Sequence, residues 1–162
     1  MLDLFPKVVI LETSSRCNLR CPYCSDGSGT PYYKLSASTL SGDSVVSLLK
    51  NIRQHCDYLV ITGGEPLNHP EFAEVMAQLG ELKLKFKEVV LTTNGYQIDL
   101  YLPLLASAVH TLVLSLDTLN HKKADAYFGV GEGTLAKILS NIEQAAHQIH
   151  RKYDMLISSV VT

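Results

Sequence analysis

Residues 7–24 read KVVILETSSRCNLRCPYC, an apolar run followed directly by a segment that carries three cysteines. The run Lys7–Thr13 is rich in β-branched residues and nearly continuous in its apolar character, which is typical of a strand covered on both faces. Four similar runs follow: Tyr58–Thr62, Glu88–Thr93, Thr111–Asp117 and Met155–Thr162. The sequence therefore predicts five buried strands, with the cysteines in the loop after the first.

Segments with the apolar spacing of helices separate these runs. We predict helices over Ser38–Gln54, Pro70–Leu79, Ile98–Ala108 and Leu135–His150. Pro70 and Gly80 mark the ends of the second helix, and Thr134 is a candidate N-cap for the last. Repeated alternation of strand and helix predicts right-handed crossovers and a parallel sheet, an α/β fold of (βα) repeats. Periodicity alone leaves open whether the sheet stays open or curls into a barrel.

The composition excludes several classes of protein. The chain has 162 residues, of which 46% are hydrophobic, and a net charge of −2, which fits one domain with a single core. It contains no apolar run of about 18 residues, so it predicts no membrane span. The amino terminus lacks a signal-peptide pattern, and the absence of a basic tract gives no reason to expect nucleic acid. We therefore expect a cytoplasmic protein.

The last predicted strand ends on the apolar residues Val160 and Val161, followed by Thr162, with no helix after it. A bare apolar edge strand invites aggregation, and an eight-stranded barrel takes more than about 200 residues. We therefore expect residues 1–162 to be the front part of a longer protein, or a partner to cover this edge.

The cysteines indicate a metal centre. Cys17, Cys21 and Cys24 lie within eight residues, whereas Cys56 stands alone. A disulfide scaffold would be secreted and would spread its cysteines along the chain, so it is the weaker interpretation. The spacing C-x3-C-x2-C instead turns three thiols toward one point.

Structural zinc is an alternative, but it needs four protein ligands. Cys56 and His55 precede the second strand, roughly 17–20 Å from the cysteine loop if that strand is extended. His69 follows the strand and lies at the correct end. An iron–sulfur cluster usually takes four thiolates, so three would leave one iron open to a ligand.

The segment CNLRCPYC at residues 17–24 resembles the signature of the radical S-adenosylmethionine (radical SAM) superfamily. The resemblance implies that Cys17, Cys21 and Cys24 hold a 4Fe-4S cluster. It also implies that the methionine part of S-adenosylmethionine chelates the fourth iron. The implied fold is a partial TIM-type barrel, usually of six βα units, of which five would be present here. Tyr23 would lie against the adenine.

Three further loops, each after a predicted strand, extend the resemblance. Gly63, Gly64, Glu65 and Pro66 resemble the family's GGEP motif, which binds the methionine amino group. A plain strand-to-helix turn with an acidic helix start is the alternative for this loop. Asn94 resembles the asparagine of the family's TNG segment beside the cofactor, although Asn-Gly is also a common turn.

The fourth predicted strand carries Ser115 and Asp117 on one face, because side chains alternate along a strand. The resemblance implies that this position contacts the carboxylate or ribose of the cofactor. The alternative for Asp117 is a helix N-cap.

The function implied by the resemblance is reductive cleavage of S-adenosylmethionine to a 5′-deoxyadenosyl radical, which abstracts hydrogen from a substrate. An electron donor is then a required partner. No side chain is an evident general acid, base or nucleophile, so we predict no catalytic residue. The alternatives are an iron–sulfur electron carrier and a metal-binding α/β module without catalytic activity.

The substrate, a small molecule or a peptide, stays open. Ser115–Leu119 and Phe128–Thr134 resemble the branch that makes a molybdenum-cofactor precursor from a guanosine nucleotide. That branch carries arginines at the positions of Ile10 and Val60. Glu12 and Thr13 are instead similar to branches that modify peptides or act in cofactor maturation.

Overall fold

The computed structural model describes residues 6–25, 29–36, 38–82, 86–148 and 153–160. Within them, five strands alternate with helices. The strands are β1 (Val8–Glu12), β2 (Tyr58–Thr62), β3 (Glu88–Thr93), β4 (Thr111–Ser115) and β5 (Asp154–Ser158). The α-helices are α1 (Gly42–Arg53), α2 (Phe72–Leu82), α3 (Leu102–Ala108), α4 (His121–Phe128) and α5 (Thr134–Ala146). The predicted βα alternation is confirmed.

All five strands pair in parallel, in the order in which they occur along the chain. A doubly wound sheet reverses its strand order at a switch point, whereas a barrel adds each strand on the same side. The observed order is therefore that of a barrel wall. This confirms the partial barrel and answers the question that periodicity left open.

The core lies between the outer face of the sheet and the helices. It includes the buried strand residues Leu59, Ile61, Leu91, Leu112 and Leu114, which pack with residues of α1, α2, α3 and α5. The inner face differs from the prediction that both faces are covered. Ile10 is 66% exposed and Leu156 is 55% exposed.

Helix ends differ from their predicted positions by a few residues. Helix α1 begins at Gly42 because the Ser41 side chain accepts a hydrogen bond from the Ser44 amide and caps it there. Helix α2 begins at Phe72 and continues through Gly80 to Leu82. Packing of its buried face outweighs the roughly 1 kcal/mol that an interior glycine costs.

The third predicted helix is split. Residues Ile98–Leu100 form a 3-10 turn, and α3 follows with Pro103 in its first turn. A proline is tolerated there because the first amides of a helix have no intrahelical partner. The strands also end earlier than predicted, β4 at Ser115 and β5 at Ser158, while residues 161–162 lie outside the described part of the chain.

Two features near α5 contradict the sequence prediction. Helix α4 was not predicted, and Thr134 is the first residue of α5 instead of its N-cap. The Asp125 carboxylate of α4 caps α5 from a neighbouring helix, since it accepts from the amides of Gly133 (3.1 Å) and Leu135 (3.4 Å). Helix α5 ends at Ala146, and residues 149–152 are outside the described ranges.

Helices α4 and α5 form a platform for the cysteine-bearing loop. Leu19 of this loop is 4% exposed and packs in a second cluster with Ala124, Phe128, Leu135 and Ile138. The Arg20 amide also donates to the carbonyl of Phe128 at 2.8 Å. Burial of Leu19 therefore fixes the segment between the first two cysteines.

A membrane-spanning helix was not predicted. Among the described residues, no helix is long and apolar enough to cross a bilayer.

Candidate functional site

One cavity of about 310 Å³ lies at the carboxyl ends of the strands. Each of the five strand ends contributes to its wall. The residues that line it include Cys17, Cys21, Tyr23 and Cys24 after β1, Thr62, Gly63, Gly64 and Glu65 at β2, Thr92, Thr93 and Asn94 at β3, Ser115 and Asp117 at β4, and Ser158 and Val160 at β5. Every predicted site residue except Pro66 borders this cavity. Pro66 is buried and begins a 3-10 turn behind it.

The three cysteines are free thiols at the cavity wall. The Leu19 amide donates to Cys17 Sγ at 3.4 Å. Burial, with smaller contributions from the nearby Glu65, Cys21 and Cys24, raises the pKa of Cys17 to about 12, and the hydrogen bond from the Leu19 amide opposes this rise. The pKa values of Cys21 and Cys24 are also raised, chiefly by burial. Charge on Cys24 contributes to the raised pKa of both Cys17 and Cys21.

The three thiols border one cavity, but they do not form a ligand set for a single metal ion. In the part of the chain that the structure describes, no three Cys, His, Asp or Glu side chains could hold one metal ion. A zinc ion would need all its ligands about 2.0–2.3 Å from one atom. Thiolates that hold a 4Fe-4S cluster bind different irons, so they need only surround a shared space. Three thiols that border one cavity are compatible with a cluster, whereas the described residues offer no ligand set for a zinc ion.

The other candidate ligands are engaged elsewhere. Cys56 is buried, and its thiol donates to the carbonyls of Lys7 (3.0 Å) and Tyr58 (3.2 Å) at the opposite ends of β1 and β2. His69 is buried, with Nε2 2.8 Å from the Leu40 carbonyl and Nδ1 accepting from the Glu71 amide at 3.1 Å. Both ring nitrogens of His69 are therefore used by the fold.

Glu65 is a buried carboxylate, 1% exposed, at the cavity wall. Its Oε1 accepts from the Leu67 amide (3.0 Å) and the Thr93 hydroxyl (2.7 Å), and its Oε2 accepts from the Asn94 amide (2.8 Å). Burial raises the pKa of Glu65, and these hydrogen bonds oppose that rise. No Lys or Arg forms an ion pair with it within the described residues. Glu65 thus caps a turn, as the alternative interpretation of this loop as a strand-to-helix turn predicted, and it also borders the cavity.

The glycine pair allows a close approach to the protein chain, while the predicted close approach to a ligand stays a prediction. The amide of Gly64 donates to Ser14 O at 2.9 Å, and the amide of Glu65 donates to Arg16 O at 2.7 Å. A Cβ on Gly64 would lie 2.5 Å from Arg16 O, and Gly63 has a φ of +138°. The pair therefore clamps the cysteine loop onto the end of β2.

Sequence reasoning missed Asn18, Asn68 and Asn141. Asn18 Oδ1 accepts from Asn94 Nδ2 at 2.9 Å and from Asn68 Nδ2 at 3.3 Å. Asn141 of α5 donates to the carbonyls of Gly95 (3.0 Å) and Tyr96 (2.8 Å). Only the position of Asn18 between two cysteines could have drawn attention to it; the partners of Asn68 and Asn141 are distant in sequence.

Asp117 joins the cysteine loop to the last strand. Its Oδ2 accepts from the Tyr23 hydroxyl, and its Oδ1 accepts from the Val160 amide at 2.8 Å. Burial and the bond to Asp117 raise the pKa of Tyr23. The N-cap alternative for Asp117 is wrong, because Asn120 caps α4 by accepting from the Lys123 amide at 3.1 Å.

The cavity has the electrostatic character of a cation site. Three thiols and two carboxylates line it, and its described lining residues include no Lys, Arg or His. A thiol-rich, acidic cavity at the strand ends of a parallel barrel wall is electrostatically suited to a cationic centre.

The family is shown by sequence comparison. The chain belongs to the radical SAM superfamily, whose family model matches residues 11–158. Members of this superfamily use a 4Fe-4S cluster and S-adenosylmethionine.

Curated relatives and solved structures agree with this family. The chain is 33% identical to the GTP 3′,8-cyclase of Lactiplantibacillus plantarum over 93% of its own length and 44% of that protein. It is 32% identical to molybdenum cofactor biosynthesis protein 1 of Bos taurus, over 83% of this chain and 21% of that one. The crystal structure of Streptococcus suis SuiB bound to S-adenosylmethionine shares its fold, with a TM-score of 0.73, 23% identity, and coverage of 98% of this chain and 35% of SuiB. The chain spans less than half the length of these curated relatives.

The substitution Gly64→Ala should detach the cysteine loop from β2, because its Cβ would overlap Arg16 O. We expect the free energy of unfolding in urea to fall by about 1–3 kcal/mol. Gly80→Ala in α2 is the control, since the nearest atom to its Cβ is the movable Ser107 Oγ at 3.3 Å. Equal stability of the Gly64 variant and the wild type would show that the clamp is not tight.

The raised pKa of Cys17 should control its reactivity. Below a pKa of about 12 the thiolate fraction grows about tenfold with each pH unit. We expect the rate of Cys17 alkylation in reduced, iron-free protein to rise throughout pH 7–11, measured by mass spectrometry with iodoacetamide. In the urea-unfolded chain the same rate should level off above a pKa of about 8.5. A plateau near pH 9 in the folded protein would contradict the burial of this thiol.

Proposed function

We propose that this chain is the core of a radical SAM enzyme that holds a 4Fe-4S cluster on Cys17, Cys21 and Cys24 and binds S-adenosylmethionine beside it. One observation carries the proposal: three free thiols and the buried carboxylate of Glu65 line a single cavity. Cys17, Cys21 and Cys24 would hold the cluster, which would supply the electron for reductive cleavage of S-adenosylmethionine to methionine and a 5′-deoxyadenosyl radical, the species that would abstract hydrogen from the substrate.

The charge of the cavity supports S-adenosylmethionine as the ligand. Burial of a carboxylate without a cation destabilises the folded protein. An ammonium group that binds Glu65 would offset part of this destabilisation. The sulfonium of the ligand adds a second positive charge to an acidic cavity. Glu65 would therefore bind the methionine amino group, beside Gly63 and Gly64.

The remaining polar groups would orient the ligand. Ser115 and Asn94 offer hydrogen-bonding groups at neighbouring strand ends, and Asp117 lies beside Ser115. Tyr23, held by Asp117, would contact the adenine. We assign no general acid or base, because the protein's contribution is to position the reacting atoms and exclude water.

An iron–sulfur module without catalytic activity is the second candidate. Burial of a carboxylate without an ion-pair partner is costly, and a module that only carries a cluster does not need one. Glu65 is such a carboxylate, since it is 1% exposed beside the thiols. Glu65 therefore favours the enzyme over the electron carrier.

For the substrate we propose a small molecule or a peptide that enters along the open inner face of the sheet. The GTP 3′,8-cyclases among the relatives are named for a guanine nucleotide, which makes GTP the first compound to test. Ile10 and Val60 are uncharged residues of that inner face and offer no charged partner for the triphosphate of GTP, so a substrate without a triphosphate is the alternative to GTP in this test. We also propose that the protein is cytoplasmic, that a separate electron donor reduces it, and that further chain completes the core domain.

Anaerobic reconstitution of the complete protein with iron and sulfide tests this function. We expect broad absorption at about 400 nm, typical of an iron–sulfur protein. Addition of dithionite and S-adenosylmethionine should then release 5′-deoxyadenosine, detected by mass spectrometry. A protein that binds the cluster but releases no 5′-deoxyadenosine would support the non-catalytic module.

The cysteine assignment predicts different effects for two similar substitutions. Cys21→Ala should abolish iron binding, because it removes one of three ligands. Cys56→Ala is the matched control and should retain iron, because its thiol contacts Lys7 O and Tyr58 O, away from the cavity. The measurement for both variants is the number of iron atoms bound per chain. Equal loss of iron in the two variants would overturn the ligand assignment.

The substitution Glu65→Gln should weaken binding of S-adenosylmethionine to the reconstituted protein. A hydrogen bond to a charged group contributes about 1.5–3 kcal/mol, so we expect the Kd to rise roughly tenfold to hundredfold. Glu74→Gln, on the exposed side of α2, is the control and should bind as the wild type does. Equilibrium dialysis gives both constants. An unchanged Kd for the Glu65 variant would remove Glu65 from the ligand site.

A further inference from the structure

Three asparagines form an amide bridge beside the cysteine loop. Asn18 follows β1, Asn68 follows β2 and Asn94 follows β3. The Oδ1 atom of Asn18 accepts from Asn94 Nδ2 at 2.9 Å and from Asn68 Nδ2 at 3.3 Å. One oxygen therefore ties together the loops after three neighbouring strands.

The orientation of each amide in this bridge follows from its surroundings. The Tyr96 amide donates to Asn94 Oδ1 at 3.0 Å, so the other side-chain atom of Asn94 is the nitrogen, a donor. The atom of Asn18 that faces this donor must then be the oxygen. Because that oxygen also faces Asn68, Asn68 must present its nitrogen as well. Asn18 thus acts as an acceptor for two donors.

The bridge connects the buried carboxylate to the first cysteine. The backbone amide of Asn94 donates to Glu65 Oε2 at 2.8 Å, while its side chain holds Asn18. Asn18 adjoins Cys17 in the chain, and the Leu19 amide on its other side donates to Cys17 Sγ. Two hydrogen bonds therefore separate the carboxylate from the residue next to a thiol.

We propose that Asn18 is a positioning residue that couples the occupancy of the cavity at Glu65 to the placement of Cys17. The inference rests on the proposed function. A cationic group that binds Glu65 Oε2 shares this oxygen with the Asn94 amide and so acts on the bridge. Coupling is reciprocal, so correct placement of Cys17 also favours binding of the cation. Asn18 touches none of the reacting groups and is not catalytic.

Asn141 provides a matched control for a purely structural role. It is 2% exposed, whereas Asn18 is partly buried, and it holds the same loop after β3 through Gly95 and Tyr96. It approaches that loop from α5, and its recorded hydrogen bonds are to Gly95, Tyr96 and Asp99, not to the cysteine loop. Substitution of either asparagine should lower stability, but only substitution of Asn18 should also weaken the coupling.

The experiment uses the complete protein, reconstituted anaerobically, with three variants. Asn18→Leu removes the acceptor at similar size, Asn18→Asp keeps it, and Asn141→Ala is the control. The readouts are the melting temperature of the iron-free chain, the rate of iron loss to a chelator, and the Kd of S-adenosylmethionine by equilibrium dialysis.

We expect Asn18→Leu to lose iron about tenfold faster and to bind S-adenosylmethionine about tenfold more weakly, as loss of two hydrogen bonds implies. Asn18→Asp should restore both values to within about threefold of the wild type, because it retains an acceptor. Asn141→Ala should lower the melting temperature and leave both values unchanged. If Asn18→Leu does not fold, Asn18→Ser, whose hydroxyl is too short to reach both donors, replaces it.

Wild-type behaviour of Asn18→Leu would overturn the inference, as would equal weakening by Asn141→Ala or failure of Asn18→Asp to restore binding. Each of these outcomes leaves the proposed function intact, because the wild type still binds iron and S-adenosylmethionine. A wild type without iron would instead overturn the proposed function, and the inference with it.

Discussion

The main-chain clamp between the cysteine loop and the end of β2 is the contact on which the site depends. Two amides, those of Gly64 and Glu65, donate to the carbonyls of Ser14 and Arg16 at 2.9 and 2.7 Å. These bonds form only because residues 63 and 64 lack a Cβ. The clamp brings the first cysteine and Glu65 to one cavity, and the bridge through Asn18 and the packing of Leu19 then define the loop between the cysteines.

The site carries an electrostatic cost in the protein alone. Glu65 is buried with neutral donors only, and the thiols of Cys17 and Cys21 are held where burial disfavours their ionised forms. Local rules of stability are commonly violated at functional sites, because the ligand supplies the missing partner. In this fold the missing partner is positive charge, in agreement with a family that uses an iron–sulfur cluster and S-adenosylmethionine.

Much of the fold was predictable because it depends on local patterns. The five strands were found from apolar runs, and the thiol, glycine and TNG loops from short motifs that follow them. The misses depend on partners that are distant in the chain. Helix α4 buries only Ala124 and Phe128, so its apolar stripe is weak. The cap of α5 is Asp125, which lies eight residues before the amide of Gly133 that it accepts from. The bridge on Asn18 joins residues that are 50 and 76 positions apart.

By itself, the sequence determined the chemistry and the edge of the sheet where it occurs. Three cysteines after one strand and Glu65 after the next must lie at the same edge of a parallel sheet, because all carboxyl ends meet there. Only the tertiary structure decided that the sheet is a barrel wall, that the three thiols border one cavity with Glu65, and that the glycines let the cysteine loop approach β2 closely. The reason is physical: strand order, donor distances and close approaches depend on how separate segments pack, and no local pattern encodes them.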